Sequence, residues 1–433
     1  MFINESFLSF IWQFQYFNKK ELHATTGEEV TILSPGHLNH NSGPDFSNGI
    51  IKLGPVTWHG NVELHVKSSN WLDHNHQRNP GYDNVILHVV WEDDCVIYRT
   101  DGTIIPAIEL NKRVDSRLIH KYHDLVESRN NIPCESEIGN IENIHITGML
   151  ERVLIERIKE KSEYALELLA VCQYDWEELS YRLLARNFGF KINQHPMMAL
   201  ATYLPFRTIK KHSQNLHSIE ALMFGTAGFL QEKPVDEYQK KLFSEYLFLG
   251  KKYGLNNDLL KRHQWKFMRT RPGNFPTIRI SQLAAFLHNK QNIFACFTGD
   301  GSVKEIMEWV KFESSDYWKN HYDFGKKNSR VSGMGTQSLR GLVINTFIPV
   351  LGAYGIYMDD ERYIQRAVEL LEHIPAEKNT ITNLWEILLN RNRNAADSQS
   401  LIQLYNSYCI KKKCLNCTIG MKLLRTNDIA VDH

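Results

Sequence analysis

The sequence predicts an α+β N-terminal domain, a mixed sheet with flanking helices, followed by a large all-α domain. Three observations carry this expectation. Residues 1–110 alternate short β-branched segments with turns rich in Gly and Pro. Within them, Val85-Ile86-Leu87-His88-Val89-Val90 is a near-continuous apolar run, as a strand covered on both faces requires. Beyond Asn111, apolar residues recur at helical spacing almost to the end.

Asn4 is placed to cap a helix from Glu5 to Asn18, with Phe7, Phe10, Ile11, Phe14 and Phe17 on its apolar face. Strands are expected at Glu29–Leu33, Asn48–Leu53, Thr57–Lys67, Asn84–Glu92 and Cys95–Arg99. Pro35-Gly36, Gly54-Pro55, Asn79-Pro80-Gly81 and Asp101-Gly102 punctuate them. Leu150, Leu154, Ile158, Ala165 and Leu169 mark a long amphipathic helix, and Asp175 with Glu178 reads as a capping box opening the next. Helical patterns recur at Val235–Tyr253, Ile280–His288, Gly301–Phe312, Arg362–Glu372 and Thr382–Leu389. The expected division is residues 1–112 as the α+β domain, 113–144 as a linker around Arg129-Asn130-Asn131-Ile132-Pro133-Cys134, and 145–433 as the helical domain carrying the C-terminal cysteines. No fixed-period repeat and no low-complexity tract is present.

A chain of 433 residues, 42% hydrophobic and 23% charged, can bury a sizeable core. The net charge of +1 gives no global field for nucleic acid, so a basic surface must be local. The N-terminus lacks a signal-peptide pattern, which leaves the cytoplasm as the expected location. The longest uncharged run, Gly341 to Met358, reads as a buried helix ending near Pro349, and no membrane partner is expected. No dinucleotide, Walker or nucleophile-elbow motif appears, which counts against dehydrogenases, NTPases and serine hydrolases of those types. Oligomeric state is not legible.

The chemistry concentrates early. Asp45 sits on a turn in Ser42-Gly43-Pro44-Asp45-Phe46, and Glu63 sits in the alternating segment Val62-Glu63-Leu64-His65-Val66-Lys67. Paired as strands, the two segments would bring both carboxylates into one space, with His65 and Lys67 on the face of Glu63. Two carboxylates beside an imidazole or ammonium suit a divalent ion, Mg²⁺ or Mn²⁺, that activates water against a phosphodiester. His65 would order or deprotonate that water and Lys67 would assist its charge. Seven of the 19 histidines fall between His37 and His88. Of these, His74 and His76 follow the Glu63 strand closely enough to build a zinc or manganese site with Asp45 and Glu63. His88, on its apolar strand, reads as a satisfied core residue.

A second constellation is Cys409-x4-Cys414-x2-Cys417, three thiols in one turn-rich segment. A closed zinc or iron–sulfur site needs four, and Cys134 is the best fourth. Lys411, Lys412 and Lys413 would lower the thiol pKa values. Cys95, Cys172 and Cys296 read as core. A third feature is basic. Lys251, Lys252, Lys261, Arg262, Lys266, Arg269, Arg271 and Arg279 face only Asp258 between Lys251 and Ile280. Tyr253, Trp265, Phe267 and Phe275 interleave. Lys261, Arg262, Lys266, Arg269 and Arg271 could neutralise nucleic-acid phosphates while the aromatics stack unpaired bases. A glycine-bearing loop, Gly325 to Thr336, lacks P-loop spacing.

Pro44-Asp45 and Glu63-Leu64-His65, in a helix–strand–strand–strand order, resemble the core of the PD-(D/E)XK nuclease superfamily. That resemblance implies a nuclease-like sheet, a magnesium-binding acid pair and phosphodiester cleavage. His65 stands where that pattern has lysine, and an imidazole cannot supply a lysine's charge. Some nucleases of that superfamily join one upstream cysteine to a C-terminal cysteine group around an iron–sulfur cluster, an arrangement similar in logic to Cys134 with Cys409, Cys414 and Cys417. The chain as a whole also resembles an uncharacterised bacterial family, the domain-of-unknown-function family 2851. The segments that carry this are Gly43-Pro44-Asp45-Phe46, Gly60-Asn61-Val62-Glu63-Leu64-His65, Asn84-Val85-Ile86-Leu87-His88-Val89-Val90 and Cys414-Leu415-Asn416-Cys417. It implies a shared architecture and no assigned activity. The leading expectation is a metal-dependent nuclease-like protein acting on or binding nucleic acid. The alternatives are a non-catalytic nucleic-acid or protein-interaction module on a decayed nuclease scaffold, and a zinc-dependent hydrolase of a small substrate.

Overall fold

A computed structural model of the chain describes residues 3–39, 41–230, 233–255, 260–268, 270–288, 290–329, 331 and 333–425. The architecture is an N-terminal mixed sheet with helices, followed by a mostly helical remainder. By packing, the chain forms two compact units, Met1–Met149 with Leu404–His433, and Leu150–Gln403. The cysteine-bearing C-terminus therefore belongs with the sheet, not with the helical domain expected over 145–433. The expected linker over 113–144 is also structured. It holds the helix Ser116–Glu127, which buries Leu118, Ile119, Tyr122 and Leu125.

In the sheet unit, Asn4 caps α1 (Glu5–Phe14) by accepting the Phe7 N–H at 2.9 Å. The helix stops at Phe14, short of the expected Asn18, because Gln15 takes a left-handed conformation at φ 57. The sheet comprises β1 (Val30–Ser34), β2 (His37–Leu38), β3 (Phe46–Leu53), β4 (Val56–Lys67), β5 (Val85–Glu92) and β6 (Ala107–Glu109). Its order is β1-β3-β4-β5-β6, with β2 also on β3. The pair β3/β4 is antiparallel, a hairpin turned at Gly54, whereas β4/β5 and β5/β6 are parallel. A parallel pair needs a crossover. Residues 68–84 supply it, and they carry α2 (Asn70–Asp73), His74 and His76. The first six residues of β5 are buried, as its apolar run requires. Cys95–Arg99 is not a sheet strand. It forms a short irregular hairpin with 103–105 through Ile105 N–H to Ile97 O and Arg99 N–H to Thr103 O.

The helical unit packs its apolar faces into one core, including Leu154, Ile158, Leu184, Phe224, Leu283, Phe286 and Phe347. Asp175 accepts the Glu177 and Glu178 N–H groups as expected of a cap. Glu178 does not reach back. Its carboxylate takes Arg182 Nε at 2.7 Å and the Phe206 N–H at 2.8 Å instead. The apolar run does not end near Pro349. It is one helix, Thr336–Met358, with mean hydropathy 1.5 and 67% of that window buried. A π-helical stretch, Val343–Phe347, precedes the proline. Pro349 has no N–H for the Asn345 carbonyl four residues back. The Asn187 side-chain amide donates to that carbonyl at 2.8 Å in its place. Asn187→Ala is therefore expected to destabilise the helical unit by about 1–2 kcal/mol, read as a shift in the denaturant midpoint. An unchanged midpoint would show that the freed carbonyl needs no partner.

Candidate metal centre

The two acids lie side by side. Asn39 holds the Gly-Pro turn closed, its side chain donating to Pro44 O at 3.0 Å and its N–H donating to Asp45 O at 2.7 Å. This delivers Asp45 to the start of β3, next to Glu63 on β4. The Asp45 N–H donates to Glu63 Oε2 at 3.0 Å, and the Leu64 N–H donates to Asp45 Oδ2 at 3.0 Å. Each acid thus uses one oxygen to fasten the other's segment. Burial pushes the Glu63 carboxyl up to about 9, helped by the Asp45 charge. Burial also pushes Asp45 up to about 6, against the Leu64 N–H that favours its charged form. Glu63 is raised further because it is only 4% exposed. Near neutral pH the metal-free pair therefore keeps a proton on Glu63, in the place a cation would take.

The crossover brings two histidines back over β4. Ser69 anchors its start, its N–H and hydroxyl both donating to the Asp94 carboxylate at 2.8 Å. Asn75 then takes a left-handed conformation at φ 59, which Asn tolerates better than most residues. That kink lets the rings on either side of it, His74 and His76, turn to the same place. The ligand nitrogens of His65, His74 and His76 all lie within 4.8 Å of one another. His65 Nε2 is 3.1 Å from His74 Nδ1 and 3.8 Å from Glu63 Oε1. His76 Nε2 is 3.3 Å from the same Glu63 oxygen. A tetrahedral ion with bonds of about 2.05 Å sets its donor atoms roughly 3.3 Å apart. The three separations fall around that value. Three imidazoles and one carboxylate oxygen are a donor set for zinc, manganese or iron rather than magnesium, which prefers oxygen alone.

The surroundings keep His65 and His76 neutral and fixed. Burial holds His65 down at about 2, with His88, His76 and His74 adding to it, and holds His76 down at about 4. Neutral imidazole is the ligand form. His65 Nδ1 lies 2.8 Å from His88 Nε2, so the second nitrogen of this ring is tied to a fully buried neighbour. Such a partner orients a metal ligand. Trp71 meets His65, His76 and His88 edge-on, and Tyr82 stacks on His76 at 3.8 Å. The centre opens outward from buried His65 and Glu63 to exposed His74.

Not every expected residue joins it. Lys67 does not: it is exposed at the end of β4 and pairs with Glu92 at 3.6 Å. His65 is 1% exposed, with Nδ1 on His88 and Nε2 beside His74, which suits a ligand better than the water-ordering base expected of it. Two contributors were missed. His88, expected to be a plain core residue, is the partner of His65. Glu5, in the first turn of α1, raises both acids electrostatically. An acid three residues from a rich aromatic helix face gives no signal of this in the sequence.

The basic stretch lies in the helical unit. Arg262 is held by Asp323 at 2.6 Å and lies over Phe267. Trp265 is 3% exposed with its indole N–H on Ala227 O, so it cannot stack on a base. Arg279 is buried and lines a cavity of about 430 Å³ with Arg271, Asn193 and Asn274. Lys261, Arg262, Lys266 and Arg271 are exposed, and Arg269 lies outside the described residues.

A family model described as "Protein of unknown function (DUF2851)" matches residues 5–380. The chain belongs to that family. The matched stretch includes Asp45, Glu63, the four clustered histidines and Cys134, and stops before the C-terminal cysteines. Comparisons with curated proteins and with solved structures found no match.

Proposed function

We propose that the sheet unit is a metal-dependent hydrolase, with one transition-metal ion held by His65, His74, His76 and Glu63. The observation that carries this is the convergence of three imidazole nitrogens, all within 4.8 Å of one another, with a carboxylate oxygen 3.3 Å from one of them and 3.8 Å from another. A bound metal would replace the proton that burial keeps on Glu63 and release it to solvent. Asp45 stands beside Glu63, and its pKa, raised to about 6, suits a general base that takes a proton from a metal-polarised water. Phosphodiesters, in nucleic acid, are the leading substrate class, since an acid pair beside a metal fits in-line attack of water at phosphorus. A small-substrate zinc hydrolase is the second reading. The imidazole-rich donor set and the diversion of Lys67 to Glu92 favour it.

The test loads chelator-stripped full-length protein with Zn²⁺, Mn²⁺ or Mg²⁺. It then assays single- and double-stranded DNA and RNA, a bis-aryl phosphodiester and an aryl ester. Zinc- or manganese-dependent phosphodiester cleavage is expected, falling at least about 100-fold in His76→Ala. Cleavage of the aryl ester alone transfers the assignment to the second reading. Stoichiometric metal without hydrolysis of any substrate overturns the enzyme and leaves a binding module. Absence of metal binding overturns the centre itself.

A further inference from the structure

Of the five cysteines in the sheet unit, four are buried. Cys134, Cys409, Cys414 and Cys417 are each 8–9% exposed and free of disulfide bonds. They come from two distant segments that the fold fastens together. Lys412 reaches from the cysteine loop to the backbone oxygens of Val126 and Ser128, at the end of the helix that leads to Cys134. Tyr405 Oη adds a contact to Asn131 at 3.5 Å.

The loop itself is shaped at some cost. Lys412 takes φ 53, a left-handed conformation that a non-glycine residue rarely adopts. This reverses the chain between Cys409 and Cys414. Cys414 and Cys417 then bracket a single 3₁₀ turn, closed by Cys417 N–H to Cys414 O at 3.2 Å. The next helix, Thr418–Leu424, packs onto that turn. A Cβ at Gly420 would lie 2.3 Å from Cys414 O, so only glycine permits the approach. Strain, a tethering lysine and a close glycine contact all serve to gather thiols. A plain apolar core needs none of them.

We propose that Cys134, Cys409, Cys414 and Cys417 are the ligands of a four-thiolate metal centre, of the class filled by zinc or by an iron–sulfur cluster. Lys412 pulls Cys414 down as the sequence suggested, but burial outweighs it. Burial pushes Cys134 up to about 12 and Cys414 up to about 11, and the other thiols of the cluster push the same way. Cys409 is raised for the same reasons, with Cys417, Cys134 and Cys414 all acting on it. Without a cation these three thiols stay neutral. A bound metal reverses this, because each thiolate then faces a positive centre. Such a centre would close the sheet unit by joining its N-terminal part to the C-terminal segment that returns to it.

The experiment purifies the full chain without oxygen and measures zinc, iron and acid-labile sulfide. The same samples are examined by X-ray absorption at the metal edge, in wild type and in His76→Ala. Sulfur-coordinated metal that persists in His76→Ala is the expected result, and it separates this centre from the histidine site. Iron with sulfide and visible absorbance identifies a cluster; about one equivalent of colourless, all-sulfur zinc identifies the mononuclear form. Cys134→Ser and Cys414→Ser should each lose that metal. If these variants fail to fold, a mercurial titration of the wild type serves instead, with metal release tracking modification of four protected thiols. No sulfur-bound metal, even after reconstitution with zinc or with ferrous iron and sulfide, overturns the proposal. So does recovery of the four thiols as disulfides.

Discussion

Glu63→Gln is expected to cost the histidine centre its metal while making the metal-free protein more stable near pH 8. The carboxylate is a donor at 3.3 Å from His76 Nε2, and an amide is a poor substitute for it. Yet in the metal-free chain that carboxylate is a burden. Its folded pKa of about 9 lies above the ordinary 4.5, so the folded state binds the extra proton. Stability from this group is complete below about 4.5 and is lost as the pH rises toward about 9. At pH 8 the loss is on the order of 2–3 kcal/mol, after allowance for its coupling to Asp45. A glutamine keeps the acceptor for the Asp45 N–H without the charge. Thermal melts of chelated protein at pH 6 and pH 8 should therefore show the wild type falling and the variant nearly level. Added zinc should then raise the wild-type midpoint by mass action and leave the variant unmoved. Metal bound by Glu63→Gln at wild-type affinity would remove Glu63 from the ligand set. Parallel pH profiles would show that its burial carries no cost.

Gly60→Val is expected to damage both the fold and the centre. An added Cβ would lie 2.4 Å from Ile86 Cγ2 and 2.6 Å from Asn84 O. Ile86 is buried, and the Asn84 carbonyl accepts the Asn61 N–H at 2.8 Å, so neither can yield freely. The clash sits where β4 begins its parallel pairing with β5. Two steps on, the same ladder sets Glu63 opposite His88 and His65 opposite Val90. Prising the strands apart should cost about 3–5 kcal/mol and displace His65 from His88. The midpoint of unfolding and the metal content should fall together. Gly139, where a Cβ meets nothing within 4 Å, is the control, and Gly139→Ala should stay within about 0.5 kcal/mol of wild type. A near-normal Gly60→Val would mean that the close approach of β4 and β5 is not required.

Much of the centre was legible from short-range signals. Asp45 declared itself by its Gly-Pro turn, Glu63 and His65 by strand alternation, and His74 with His76 by their nearness to that strand. The same rule failed for Lys67. Alternation puts it on the right face, but the strand ends there, and Glu92, its neighbour on β5, captures it. In the basic stretch the structure separates the charges from the aromatics: Lys261, Arg262, Lys266 and Arg271 stay exposed, whereas Trp265 is consumed by the core and Arg279 is buried. Adjacency in sequence does not show which side chains the core will take.

By itself the sequence determined the class of fold, the acid pair and the identity of the thiols, because these rest on local periodicity, turn chemistry and residue type. Tertiary structure alone decided what those residues became. It made His88 the partner of His65, and it turned an acid pair suited to magnesium into one side of an imidazole-rich centre. It also returned the segment that begins at Leu404, with Cys409, Cys414 and Cys417, to the unit that holds Cys134. The physical reason is common to all three. Each depends on contacts between residues far apart in sequence, and their energy comes from burial and packing that no short window of sequence contains.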